Sequence, residues 1–169
     1  CNSMLIGESV NTDKLSFIVT GDLAFFYDMN ALGIRHIKNN VRILLINNKE
    51  GAEFGFMTNG WKYKHDIHPY TSAKGHYSTA RGWAEDCGFE YLSASSKEEF
   101  NKHQSVFVSR SEKPILFELF TKTEDEVLAW RQFINANSLI SESRRVLGKC
   151  VEQILSTKGK QIVKNILKR

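Results

Sequence analysis

Residues 17–54 read FIVTGDLAFFYDMNALGIRHIKNNVRILLINNKEGAEF. Phe17 to Val19 is an apolar, β-branched run, and Val41 to Ile46 is a second one interrupted only by Arg42. Runs of this kind suit strands buried on both faces, so both are expected at the centre of a parallel sheet. Between them Phe25, Phe26, Met29 and Leu32 recur at helical spacing, with Asp28, Asn30 and Arg35 falling on other faces. A helix from about Leu23 would then complete a βαβ unit. Gly21-Asp22 closes the first strand and Asn47-Asn48 the second. A right-handed crossover puts both strand ends on one edge, where open α/β sheets take ligands. Asp22 and Asn48, 26 positions apart, are therefore expected to be neighbours in space.

A carboxylate and a carboxamide supply hard oxygens, which suit Mg²⁺ or Ca²⁺, and Mg²⁺ commonly leaves positions for water and substrate phosphate. A helix start at the same place offers free N–H groups to a phosphate. These residues are thus consistent with a Mg²⁺-diphosphate site. They are equally consistent with Asp22 capping its helix and Asn47-Asn48 making a turn.

The order GD, about two dozen residues, then NN after an apolar strand resembles the cofactor motif of thiamine-diphosphate enzymes. The longer match, GDLAFFYDMNAL followed by ILLINN, is closest to the menaquinone-pathway SEPHCHC synthase (2-succinyl-5-enolpyruvyl-6-hydroxy-3-cyclohexene-1-carboxylate synthase) and acetolactate synthase-like branch and its polysaccharide-cluster relatives. It leans slightly toward the latter, and it covers Cys1 to about Glu126. The resemblance implies thiamine diphosphate and Mg²⁺ as cofactors, with Gly21, Asp22, Leu23, Ala24, Asn47 and Asn48 around the diphosphate. It makes Asp22 and Asn48 side-chain Mg²⁺ ligands and the backbone carbonyl of Glu50 a third. Leu23 is common in this branch where other members carry Gly. Glu50, by contrast, stands where relatives usually have Gly, and a side chain there restricts the turn. The implied activity is decarboxylation or carboligation of a 2-oxo acid. The activating glutamate of that chemistry resides on an N-terminal pyrimidine-binding domain, usually across a homodimer or tetramer interface, so no catalytic residue is assigned here.

Outward from this unit, Met4 to Val10 is helix-like and Asn11-Thr12-Asp13 a turn. In the resembled family this region follows a cofactor-contacting loop, which implies a parent chain with several hundred more residues on the N-terminal side. Lys49 to Ser78 is the longest irregular stretch, and the resemblance implies that residues 53–77 order over the cofactor. His65, His68 and His76 have a loose spacing with no Cys or acidic partner to complete a zinc set, so a solvent- or substrate-facing role is expected of them. Regular alternation resumes with a helix over Ser78 to Cys87, whose apolar face is Ala80, Trp83, Ala84 and Cys87 and which Gly88 stops. A strand over Phe89 to Leu92 follows, then a helix capped by Ser95-Ser96, the strand Ile115 to Phe120 after Pro114, and a helix from Thr121 or Thr123 through Ile134. The expected fold is a doubly wound, mostly parallel α/β sheet with helices on both faces over residues 1–136, plus a basic helical extension over 137–169.

Composition agrees: 169 residues, 41% hydrophobic and 25% charged, suit a globular domain. Residues 142–169 hold eight basic and two acidic side chains, or +6 against +4 for the whole chain. The excess sits on amphipathic spacing and reads as a solvated helix face rather than a membrane surface, and no nucleic-acid reading motif accompanies it. No apolar run approaches the roughly 20 residues that span a bilayer. Three unpaired-looking cysteines, Cys1, Cys87 and Cys150, suit a reducing, cytoplasmic setting. A second reading from a different class is a non-catalytic α/β module that keeps the fold with a degenerate thiamine-type site. A receiver-like phosphate domain fits poorly, because Asp22 stands alone after its strand.

Overall fold

The computed structural model describes residues 2–53, 70 and 73–137. Among them the elements run α1 (Asn2–Ser9), β1 (Ser16–Gly21), α2 (Asp22–Tyr27), a 3-10 turn (Met29–Gly33), β2 (Val41–Asn47), α3 (Arg81–Asp86), β3 (Glu90–Ala94), α4 (Lys97–Phe107), β4 (Ile115–Phe120) and α5 (Thr123–Ala136). The strands form one all-parallel, doubly wound sheet in the order β1-β2-β4-β3. The chain divides into two compact units, residues 1–130 and 131–169, and the sheet lies in the first.

The winding explains the layers. From β1 to β2 and on to β3 the chain advances across the sheet, and from β3 to β4 it steps back. Right-handed crossovers put the helices of those two directions on opposite faces. Leu5 of α1, Phe25 of α2, Ala84 of α3 and Leu32 accordingly pack with Val41, Ile43, Leu45 and Leu116 on one face. Phe100 and Phe107 of α4 pack with Ile115, Phe117, Leu44 and Ala94 on the other.

The helix ends follow the local chemistry. Ser96 caps α4 by accepting from Glu99 N at 3.2 Å, and Glu99 Oε2 reaches back past the cap to accept from Ser95 N at 2.7 Å. Gly88 ends the α3 segment at φ +82°, a left-handed position that suits glycine. Arg42 is buried on the α4 face of β2. Its guanidinium donates to the carbonyls of Phe107 (2.9 Å) and Ser109 (2.6 Å), closing the C-terminal end of α4.

Two expectations are corrected. β1 is not central among the described strands: it ends the sheet, and Phe17 and Val19 are 49% and 67% exposed, because α4 covers mainly β4 and β3 on that face. The crossover is not one helix either. α2 stops at Tyr27, where Asp28 turns to accept from Ser3 N (3.0 Å) and Ser3 Oγ (2.5 Å) of α1, and the apolar spacing continues through the 3-10 turn. The loop residues 54–69, 71 and 72, with His65 and His68, and the basic tail lie outside the described residues.

Candidate cofactor and cation site

Parallel pairing of Gly21 with Ile46 brings the ends of β1 and β2 side by side, and Asp22 and Asn48 emerge from those ends. Asp22 is 2% exposed. Its Oδ1 accepts from Leu23 N at 2.7 Å; its Oδ2 accepts from Lys49 N at 2.8 Å and meets His76 Nε2 at 2.9 Å. The turn that delivers Lys49 is an unusual one. Lys49 has φ +65°, a left-handed conformation that non-glycine residues seldom adopt, held by N–H bonds to Asp22 and to Asn47 Oδ1. Asn48 is half-buried; its Oδ1 accepts from Glu50 N at 3.0 Å. Glu50 is 6% exposed and sits 3.7 Å from Lys74 Nζ. Gly21 precedes α2 at φ −79°, and a Cβ there would meet nothing within 4 Å. Among the described residues neither backbone nor packing calls for glycine here. Leu23 is half-buried and Ala24 exposed at the same helix start.

The two asparagines of the turn do different work. Asn47, 1% exposed, faces inward and donates to Glu118 Oε1 at 2.7 Å and Ser78 O at 3.0 Å. Glu118 is fully buried in β4, and its Oε2 accepts from Tyr91 Oη at 2.6 Å and Ala80 N at 3.1 Å. Burial, and then the hydrogen bond and charge of Glu118, push the Tyr91 phenol upward from its ordinary value. This network anchors the turn and the start of α3 to the sheet. No sequence signal marked Glu118, since an acidic residue inside an apolar strand run has no local partner to announce it.

The donor set fits a hard divalent cation and a diphosphate in kind. Asp22 is a buried carboxylate which, among the described residues, pairs with an imidazole and with no lysine or arginine. The Asn48 carboxamide oxygen is at the adjacent strand end. Among the described residues no group of three or more His, Cys, Asp or Glu could hold a metal. A cation here would therefore rest on one carboxylate, a carboxamide, main-chain oxygen and ligand oxygens, the few-protein-ligand pattern of Mg²⁺. Of the three histidines singled out, His76 lies among the described residues, and the structure brings it to the site.

No protein-family model matches the chain. It is similar to curated proteins named 2-succinyl-5-enolpyruvyl-6-hydroxy-3-cyclohexene-1-carboxylate synthase: 39% identical over 133 residues to that of Phocaeicola vulgatus, 40% over 121 to that of Bacteroides thetaiotaomicron, and 39% over 128 to that of Christiangramia forsetii. These matches cover 78%, 70% and 75% of this chain, but 24%, 21% and 22% of the relatives. The chain thus spans less than a quarter of the length of the proteins it matches.

Proposed function

We propose that this chain, which over the roughly three-quarters of it that align belongs with the 2-succinyl-5-enolpyruvyl-6-hydroxy-3-cyclohexene-1-carboxylate synthases, is the part of a thiamine-diphosphate-dependent enzyme that holds the cofactor's diphosphate through Mg²⁺. The observation that carries the reading is the meeting of buried Asp22 and the Asn48 turn at two adjacent parallel strand ends, beside an unfilled Gly21.

In this reading Asp22 and Asn48 hold the cation by their side-chain oxygens and Glu50 by its carbonyl. Gly21, Leu23 and Ala24 line the diphosphate, and Asn47 contributes by fixing the turn through Glu118. The bound cofactor supplies an electron sink that lets a 2-oxo acid lose carbon dioxide and pass its remaining carbons to an acceptor. The chain's own task is position and electrostatics: it places hard oxygens rigidly, because the groups that fix them are themselves buried and bonded. The proton-handling groups are supplied by an N-terminal pyrimidine-binding domain, in a homodimer or tetramer. Among the described residues no helix is long and apolar enough to cross a membrane.

Calorimetric titration of the full-length protein with thiamine diphosphate, in Mg²⁺ and then in chelator, tests the reading. Binding is expected to require the cation and to be lost in Asp22→Ala. Cofactor binding unaffected by both chelator and substitution would overturn it. No binding at all would favour a module that keeps the fold without the cofactor.

A further inference from the structure

We propose that Glu126 is the positioning residue that decides which end of the Asn48 carboxamide faces the cation site. This rests on the functional reading above and adds a member to it that lies 78 positions from the turn.

A carboxamide is nearly symmetric in shape, with an acceptor at one end and a donor at the other, so only its neighbours can orient it. Asn48 Nδ2 donates to Glu126 Oε2 at 2.7 Å. An ionised carboxylate can only accept, so this contact forces the amino end toward α5 and leaves the oxygen for the opposite side. There Oδ1 accepts from Glu50 N at 3.0 Å, in the same turn whose Lys49 N–H is bound to Asp22. Rotating the amide would set an oxygen against a carboxylate and an NH₂ against an N–H, two repulsions at once.

Glu126 is itself held. Its Oε1 accepts from Thr121 Oγ1, and Thr121 N donates to Asn47 O at 3.1 Å, so the β4–α5 connection grips the turn through main chain and side chain together. Acidic residues are common in a first helical turn for reasons unrelated to any site. Glu124 and Asp125 in that turn of α5 are exposed, whereas Glu126 is half-buried and bonded to the turn. Second-shell groups of this type orient a ligand that would otherwise present the wrong atom.

The test is Mn²⁺ affinity, by electron paramagnetic resonance, of the full-length protein in the presence of thiamine diphosphate, beside the melting midpoint of the metal-free protein. Glu126→Leu removes every acceptor and is expected to weaken Mn²⁺ by about 10- to 100-fold. Glu126→Gln keeps an acceptor oxygen and should fall between that and the unaltered protein. Should the Leu variant not fold, the Gln variant still decides. Unchanged Mn²⁺ affinity in the folded Glu126 variants, with or without a lower melting midpoint, would overturn the proposal and reduce Glu126 to a packing contact. Absence of Mn²⁺ binding by the unaltered protein would instead overturn the functional reading, and this proposal with it.

Discussion

Asp22 and His76 meet at 2.9 Å where the cation is expected, so among the described residues the imidazole is one of three donors to a buried carboxylate. His76→Ala should therefore destabilise the metal-free protein by about 1–3 kcal/mol, the usual cost of removing a partner from a buried polar group. Saturating Mg²⁺ should recover most of that loss, since the cation then neutralises Asp22; thermal melts with and without Mg²⁺ measure the difference. Tyr91 makes a second expectation. Its phenol is raised in the fold, so above the ordinary value near 10 the unfolded chain releases a proton that the native one keeps. Stability is then fully present below that pH and falls as pH rises through the window between the two values. Tyr91→Phe should lower stability at neutral pH, because Glu118 loses a donor, and should flatten the alkaline fall; melts across pH 8–11, in roughly the range where free tyrosine ionises, would show both. Asp22 and Asn48 were legible because each sits in the turn that closes an apolar run naming its strand. Glu118, Glu126 and the placement of His76 were not: their partners lie 71, 78 and 54 positions away.

Helices and strands were readable where their ends carry chemistry. Ser96 with Glu99 starts α4, Gly88 stops the α3 segment, and Pro114 stands immediately before β4. Ser96→Ala should cost about 1 kcal/mol, seen as a shift in the denaturation midpoint. The single helix expected after Asp22 failed for a physical reason. The i, i+3, i+4 recurrence of Phe25, Phe26, Met29 and Leu32 is kept by α2 and the 3-10 turn in succession, while the break at Asp28 is made by a bond to α1. Arg42 shows the converse, a charged residue in a strand run whose partners belong to another element. It joins β2 to the end of α4 through the carbonyls of Phe107 and Ser109. Burial lowers its pKa from the ordinary value, yet arginine stays charged. Arg42→Met keeps the stem and strips those carbonyls of a charged donor. It should destabilise by about 2–4 kcal/mol on the scale of hydrogen bonds to charged groups, and denaturant titration gives the value.

The described sheet has its doubly paired strands in the middle and its candidate site at the ends of β1 and β2. β2 and β4 are paired on both edges, while β1 ends the described sheet with Phe17 and Val19 exposed. Native-state amide exchange is expected to be slowest in β2 and β4 and faster in β1; equal protection in all three strands would mean that β1 is paired or covered on its outer side. The sequence by itself determined the strand-helix alternation, the sheet's parallel character, the meeting of Asp22 with the Asn48 turn, and the family. The first three follow from local hydrophobic period, turn residues and the handedness of one crossover; the family follows from the resemblance carried by the GD and NN motifs. Only the tertiary structure decided that β1 ends the described sheet, that Asn47 points inward to Glu118, that His76 closes on Asp22, and that Glu126 orients Asn48. Those are side-chain orientations and packing neighbours, set by groups that become adjacent only once the sheet has brought distant segments together.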